Sequence, residues 1–73
     1  MFLYMLKKGE LAEIDRVIGS ATWKKRLEDM GFVPGTLIQV VLAQSGNLIV
    51  EVRGTRFAIN RDMAKHVRIR PRK

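Results

Sequence analysis

The sequence has no cysteine and only one histidine, one tryptophan and two prolines among its 73 residues. Without cysteine, disulfide-stapled folds, zinc fingers, iron–sulfur sites and thiol nucleophiles are excluded. A chain of this length buries only about 60% of the surface that its unfolded form exposes, so its core has to be apolar and closely packed. The hydrophobic content of 47% is sufficient for such a core and argues against wholesale disorder.

Long hydrophobic runs are also absent. The apolar stretch at residues 1–6 is much shorter than the roughly 20 residues that a membrane-spanning helix needs. Lys7 and Lys8 follow this stretch, whereas the basic residues of a secretory signal precede its apolar segment. We therefore expect a cytoplasmic protein.

Acidic residues are scarce relative to basic ones. Seven Asp and Glu stand against fourteen Lys and Arg, and the formal net charge is +7. A positive surface potential on so small a chain favours an acidic partner. Nucleic acid, an anionic membrane surface and an acidic protein surface all fit, and composition alone does not choose among them.

Glycine and asparagine punctuate the chain at short intervals, and the blocks between them are rich in Val, Ile and Leu. This pattern predicts short strands joined by tight turns. In the second strand Ile38, Val40 and Leu42 are expected to share one face, and a bend or bulge is expected near residues 16–18. The predicted strands cover residues 10–18, 36–43, 47–53, 56–60 and 67–70.

One helix is predicted, over residues 20–30. Ser20 is a favourable N-cap, because its hydroxyl accepts a hydrogen bond from an unpaired backbone N–H. Trp23, Leu27 and Met30 recur at the spacing of one helical face. Gly31 follows, at the position where a left-handed conformation ends many helices.

Turn residues complete the pattern. Pro34 and Gly35 predict a turn after the helix, and Gly54 predicts a tight hairpin turn. Asn60 is expected to cap a short helical turn at residues 61–66. The chain is therefore predicted to be one domain, residues 1–73, with a frayed basic tail at 70–73. The predicted fold is mainly β, a small barrel of about five strands with one short helix after the first strand.

Catalysis has little support in the sequence. His66 is read as a surface residue near the end of the short helical turn, and no two carboxylates form a catalytic spacing. We expect no catalytic residue, no cofactor and no structural metal site. A weak metal site formed by His66 with scattered carboxylates stays open.

The helix carries a basic cluster beside an aromatic side chain, Trp23, Lys24, Lys25 and Arg26. Such a cluster is either a solvated surface that keeps the protein soluble or an electrostatic docking patch. Sheets that bind single-stranded nucleic acid place aromatic side chains beside cations for base stacking. No predicted strand shows such a pair, so nucleic acid is the less favoured partner.

The chain resembles the ferrous iron transport protein A (FeoA) family over residues 3–69. The residues that carry the resemblance are Leu3-x-x-Leu6-x-x-Gly9-x-x-Ala12-x-Ile14, Arg26-Leu27-x-x-Met30-Gly31-Phe32-Val33-Pro34-Gly35-Thr36, Val52-Arg53-Gly54-x-Arg56-x-Ala58-Ile59 and the block 64–69. The resemblance implies an SH3-like β-barrel. It also implies a cytoplasmic accessory of FeoB, the ferrous iron transporter with a cytoplasmic GTPase domain.

Two kinds of function follow as hypotheses. The first is a non-catalytic protein that regulates iron uptake by docking Trp23, Lys24, Lys25 and Arg26 on an acidic surface of a FeoB-like transporter. It would reach the membrane only through that partner, as a monomer or weak homo-oligomer. The alternatives are a stand-alone nucleic-acid-binding barrel and a metal-responsive regulatory domain.

Overall fold

The computed structural model describes residues 1–72 and contains five strands and two helices. A 3₁₀ turn, Leu3–Met5, precedes the first strand. The strands are β1 (Leu11–Val17), β2 (Leu37–Gln44), β3 (Asn47–Val52), β4 (Thr55–Ile59) and β5 (Val67–Arg72). Helix α1 (Ala21–Asp29) follows β1, and the one-turn helix α2 (Arg61–Ala64) lies between β4 and β5.

The strands form one antiparallel sheet in the order β4-β3-β2-β1-β5. β2, β3 and β4 are consecutive hairpins, and the chain then returns through α2 to place β5 beside β1. Five strands with a helix after the first confirm the predicted architecture.

The inner face of the sheet encloses one apolar core, which α1 and the N-terminal segment help to cover. Alternate residues of the strands point inward, as the period-two pattern predicts. The buried apolar residues are Leu3, Leu6, Ala12, Ile14, Leu27, Phe32, Ile38, Val40, Leu48, Val50, Val52, Ile59, Ala64, Val67 and Ile69.

Both hairpins close through two-residue turns in which each central residue has positive φ. These residues are Ser45 (53°) with Gly46 (84°), and Arg53 (52°) with Gly54 (80°). This is the turn geometry that matches the twist of the flanking strands. The predicted turn at Gly54 is therefore present, with Arg53 as its other central residue.

Helix α2 is held by asparagine side chains from two elements. Asn60 Oδ1 accepts a hydrogen bond from Met63 N at 2.8 Å, as expected of its N-cap. Asn47 Oδ1 accepts from Arg61 N at 3.2 Å, which ties α2 to the start of β3. The β2–β3 hairpin and α2 therefore hold each other in place.

Two details of the strands differ from the predictions. The register of β2 against β3 shifts between Val40 and Leu42, which leaves Val41 as a bulge. Because one extra residue reverses the alternation, Leu42 does not share the face of Ile38 and Val40 but points outward and is 45% exposed. In β1 the register shifts between Ile14 and Arg16, slightly before the expected bend.

The two ends of the chain also differ from the predictions. The expected frayed tail is wrong for residues 70–72, because Arg70 and Arg72 pair with Glu13 and Leu11 of β1; Lys73 lies outside the described residues. At the other end the segment before β1, for which no element was predicted, is ordered. Within residues 1–72, no helix is long and apolar enough to cross a membrane.

Candidate partner-binding surface on helix α1

Helix α1 begins and ends where the sequence predicts. Ser20 Oγ accepts a hydrogen bond from Trp23 N at 3.3 Å and caps the first turn. Gly31 has φ +97°, the left-handed conformation that ends the helix. Val33 O then accepts from Thr36 N at 3.1 Å across the Pro34–Gly35 turn, where Gly35 has φ +88°. These local signals set the length of α1 and its exit toward β2.

Two side chains attach α1 to the body of the protein. Leu27 is fully buried in the core. Trp23 is half-buried and stacks on His66, with ring centroids 4.6 Å apart and an interplanar angle of 18°. The aromatic residue of the predicted site is therefore also the contact between α1 and the start of β5.

His66 is more constrained than a free surface residue. Its Nδ1 donates a hydrogen bond to the carbonyl oxygen of Asp62 at 2.8 Å, since a carbonyl only accepts. Its ring is covered by Trp23 on one side and by the backbone at Gly19. The sequence shows that both rings exist, but their stacking depends on the return of the chain to β5 and has no local signal.

The three cations of the predicted site are exposed but do not share one face of α1. Consecutive helical residues are about 100° apart, so the three positions span roughly 200° of the helix. Lys24 borders a shallow depression beside Arg16 of β1. Lys25 and Arg26 border a separate depression on the side of Thr22 and Asp29.

Arg26 links the cations to the aromatic residue. Its guanidinium carbon lies 5.7 Å from the centre of the Trp23 ring, within the range of a cation–π contact. The structure therefore brings Arg26 and Trp23 together, and Arg26 also borders the depression of Lys25. Lys24 extends the positive surface toward β1.

The electrostatics of α1 differ from those of the sheet. Within residues 1–72, neither lysine of α1 nor Arg26 forms an ion pair with a carboxylate. On the sheet most cations have acidic partners within 4 Å. The pairs are Arg16–Asp15, Arg56–Glu51, Arg70–Glu13, Arg70–Asp15 and Arg72–Glu13, together with Lys65–Asp62 on α2.

Metal ligands do not gather at this surface. Among the residues that the structure describes, no group of three or more His, Cys, Asp or Glu side chains is arranged to hold a metal ion. The weak metal site that the sequence analysis left open would have His66 as its one imidazole ligand. The Nδ1 atom of His66 is already hydrogen-bonded to the backbone carbonyl oxygen of Asp62.

Several solved structures have this fold. One described as the iron uptake regulatory protein FeoA superposes with a TM-score of 0.93 at 29% identity, over 99% of this chain and 97% of its own. FeoA of Stenotrophomonas maltophilia, described as a prokaryotic SH3 domain protein in complex with zinc, has a TM-score of 0.83 at 31% identity, over 94% of this chain and 88% of its own.

A manganese-dependent transcriptional repressor also superposes, with a TM-score of 0.88 over 99% of this chain and 41% of its own length. At 11% identity this likeness shows the fold alone. No curated protein sequence matches the chain.

The sheet order, the helix after β1 and these superpositions define a small SH3-like β-barrel, as predicted. The model of the FeoA domain family matches residues 1–71. The chain belongs to the FeoA family.

Proposed function

We propose that this protein is a non-catalytic accessory of ferrous iron uptake that binds a FeoB-like transporter through α1. The observation that carries the proposal is the positive surface of α1 in a member of the FeoA family. Lys24, Lys25 and Arg26 are exposed without acidic partners in residues 1–72, beside a tryptophan held by stacking. An acidic protein surface would supply the missing carboxylates.

Trp23 is a side chain of this surface that is already held in one orientation. Tryptophan is enriched among residues that dominate binding energy, particularly where it is already packed and loses little freedom on binding. The Trp23 ring is held by His66 and Arg26, so it presents its remaining exposed edge in a defined orientation. The cations would steer the encounter, and the indole edge would add apolar contact.

In this proposal the protein acts in the cytoplasm and approaches the membrane only through the transporter. It performs no chemistry of its own and changes the activity or assembly of its partner by binding. It does so as a monomer or a weak homo-oligomer.

The test is a charge reversal at Lys24 and Lys25. We expect Lys24→Glu with Lys25→Glu to weaken binding to the detergent-solubilised transporter by more than about tenfold, because charge-assisted contacts are lost and repulsion is introduced. Binding is measured by calorimetry, and ferrous iron uptake is measured in cells carrying the variant.

A matched control distinguishes the effect of changing the α1 site from the effect of lowering the net charge. Lys7 and Lys8 are also adjacent, exposed and without an ion pair in the described chain, so Lys7→Glu with Lys8→Glu makes the same change in net charge. We expect only a small loss of affinity from this control. An equal loss in both variants would contradict the α1 site, and no binding by the unaltered protein would contradict the partner.

A further inference from the structure

A row of apolar side chains crosses the outer face of the sheet and ends at β4. Leu42 pairs with Ile49, and Ile49 pairs with Ala58, so the three are cross-strand neighbours. Leu42 and Ala58 are exposed, and Ile49 is half-buried. Met63 of α2 closes one end of the resulting groove of about 300 Å³. An apolar row that reaches an end strand is open to a ligand that extends the sheet.

The backbone of β4 has free hydrogen-bonding groups along the same edge. A two-residue hairpin turn makes Val52 and Thr55 a hydrogen-bonded pair, and antiparallel pairs then alternate. Arg56 and Ala58 therefore direct their N–H and C=O groups away from β3. No other backbone group in residues 1–72 pairs with them.

Three arginines lie on β4 or next to its two ends. Arg53 lies in the turn before β4, where its Nη2 donates to Thr36 Oγ1 at 3.4 Å, and Arg61 lies just after β4, with its guanidinium over the Tyr4 ring. Neither forms an ion pair within residues 1–72. Arg56 lies on the outer face of β4, where its one carboxylate partner is Glu51 at 3.3 Å. Residues 53–61 thus carry three arginines and no carboxylate, so the edge strand and its two flanks have a net positive charge.

We infer that the β4 edge binds an extended acidic segment of a protein partner, which adds to the sheet as a sixth strand. The main chain of the segment pairs with Arg56 and Ala58, as in other complexes formed by strand addition. The side chain opposite Ala58 is apolar and lies over the small alanine onto Ile49. The side chain on the same face opposite Arg56 is Asp or Glu. This surface differs from α1 and does not depend on the transporter.

A second copy of this chain fits the edge less well. Two β4 strands paired antiparallel about Phe57 satisfy the free groups of Arg56 and Ala58. The same pairing places the Arg53 turn of each copy toward the Arg61 end of the other. Each copy also carries a net charge of +7. Like charges brought together in this way are destabilising, which favours an acidic partner.

The probe for this inference is a fluorescein-labelled peptide of about ten residues with the repeat Glu-Thr-Val-Thr, in which Glu and Val follow one another on the same face of the strand. We expect it to bind, to shift the amide resonances of Arg56 and Ala58, and to slow their hydrogen exchange. The same repeat with Lys in place of Glu, and a strictly alternating Glu–Val peptide, which separates Glu and Val onto opposite faces, should each bind at least about tenfold more weakly. No binding by the Glu-Thr-Val-Thr peptide would overturn the inference.

Two variants at one position test the backbone and the groove. Ala58→Pro removes an outward N–H that β3 does not use, and proline is tolerated at such edge positions. Ala58→Glu keeps the N–H and places a carboxylate in the groove, so it serves as the test if the proline variant does not fold. We expect each to weaken peptide binding about tenfold.

Lys25→Gln on α1 is the control, because it makes the same change in net charge as Ala58→Glu. It should leave peptide binding within about twofold of the unaltered protein. Resonance shifts confined to α1, or an equal loss with Lys25→Gln, would overturn the assignment to β4. A dimer through β4 in the absence of peptide, detected by sedimentation and by the same amide shifts, would overturn the choice of occupant.

Discussion

The two end strands of the sheet, β4 and β5, differ in whether other backbone pairs with their outer edges. The edge of β5 is covered by the start of the chain: Phe2 forms a bridge with Arg68, and Ile69 N donates to Met1 O at 2.8 Å. The edge of β4 has no such cover in residues 1–72. The same sheet therefore has one edge closed by its own sequence and one edge left open.

The covered edge is built from interactions that only the complete fold supplies. Leu3 and Leu6 are buried beneath the sheet and α2, which holds the first residues against β5. The rings of Phe2 and Tyr4 stack at 6.0 Å, with Arg68 over Phe2 and Arg61 over Tyr4. The N-terminal segment is thereby held in place, and it covers the backbone edge of β5.

The open edge is protected in another way. β4 is short, and a basic side chain at an exposed edge discourages pairing with copies of the same protein. Arg56 has that position, with Arg53 and Arg61 beyond the two ends of the strand. This protection acts by charge rather than by cover, so in the proposed complex it disfavours a cationic strand and favours an acidic one.

Removing the cover of β5 is expected to have the largest effect. Leu3 is fully buried, so Leu3→Ala should lower the free energy of unfolding by about 3 kcal/mol, from lost burial and the cavity left behind. Urea unfolding measures this change, and the Ile69 amide should lose protection from hydrogen exchange.

Met5→Ala is the control for this prediction, because Met5 lies in the same turn but is 49% exposed. Its effect should stay within about 0.5 kcal/mol. Similar losses in the two variants would mean that the N-terminal segment does not cover the sheet.

Two glycines in turns differ in how much space surrounds them. A Cβ on Gly19 would lie 2.5 Å from His66 Cδ2, at φ +108°, whereas a Cβ on Gly54, beside β4, would meet nothing within 4 Å. Gly54→Ala should cost about 1 kcal/mol for its positive φ alone, and Gly19→Ala about 2–3 kcal/mol because the Trp23–His66 stack has to move. Thermal unfolding measures both, and equal costs would contradict a close contact at Gly19.

Much of the fold was predictable because its signals are local. Ser20 and Gly31 bound the helix through hydrogen bonds and backbone conformation within a few residues, and alternation assigned most inward side chains correctly. Leu42 was assigned to the wrong face because nothing in the residues around Val41 marks a bulge. Whether a strand carries such an extra residue, and where, depends on how the whole strand fits the barrel.

The candidate site was only partly predictable. The cations of α1 are evident from the sequence, but whether a cation is free depends on which carboxylates the fold brings near it. Arg70 was expected in a frayed tail, yet it lies 3.2 Å from Asp15 because β5 pairs with β1. The stacking of Trp23 on His66 and the open edge of β4 likewise depend on strand order.

The smallest expected effect concerns the ion pairs on the two end strands. Arg70 on β5 contacts both Glu13 and Asp15, whereas Arg56 on β4 contacts Glu51 alone. Both arginines are largely exposed, so Arg70→Ala should lower the free energy of unfolding by about 0.5–1 kcal/mol and Arg56→Ala by less than about 0.5 kcal/mol. Both losses should fade in about 1 M salt, because screening weakens exposed pairs. A larger loss for Arg56→Ala would show that the open edge relies on its arginine for stability, and the division between a structural β5 edge and a binding β4 edge would not hold.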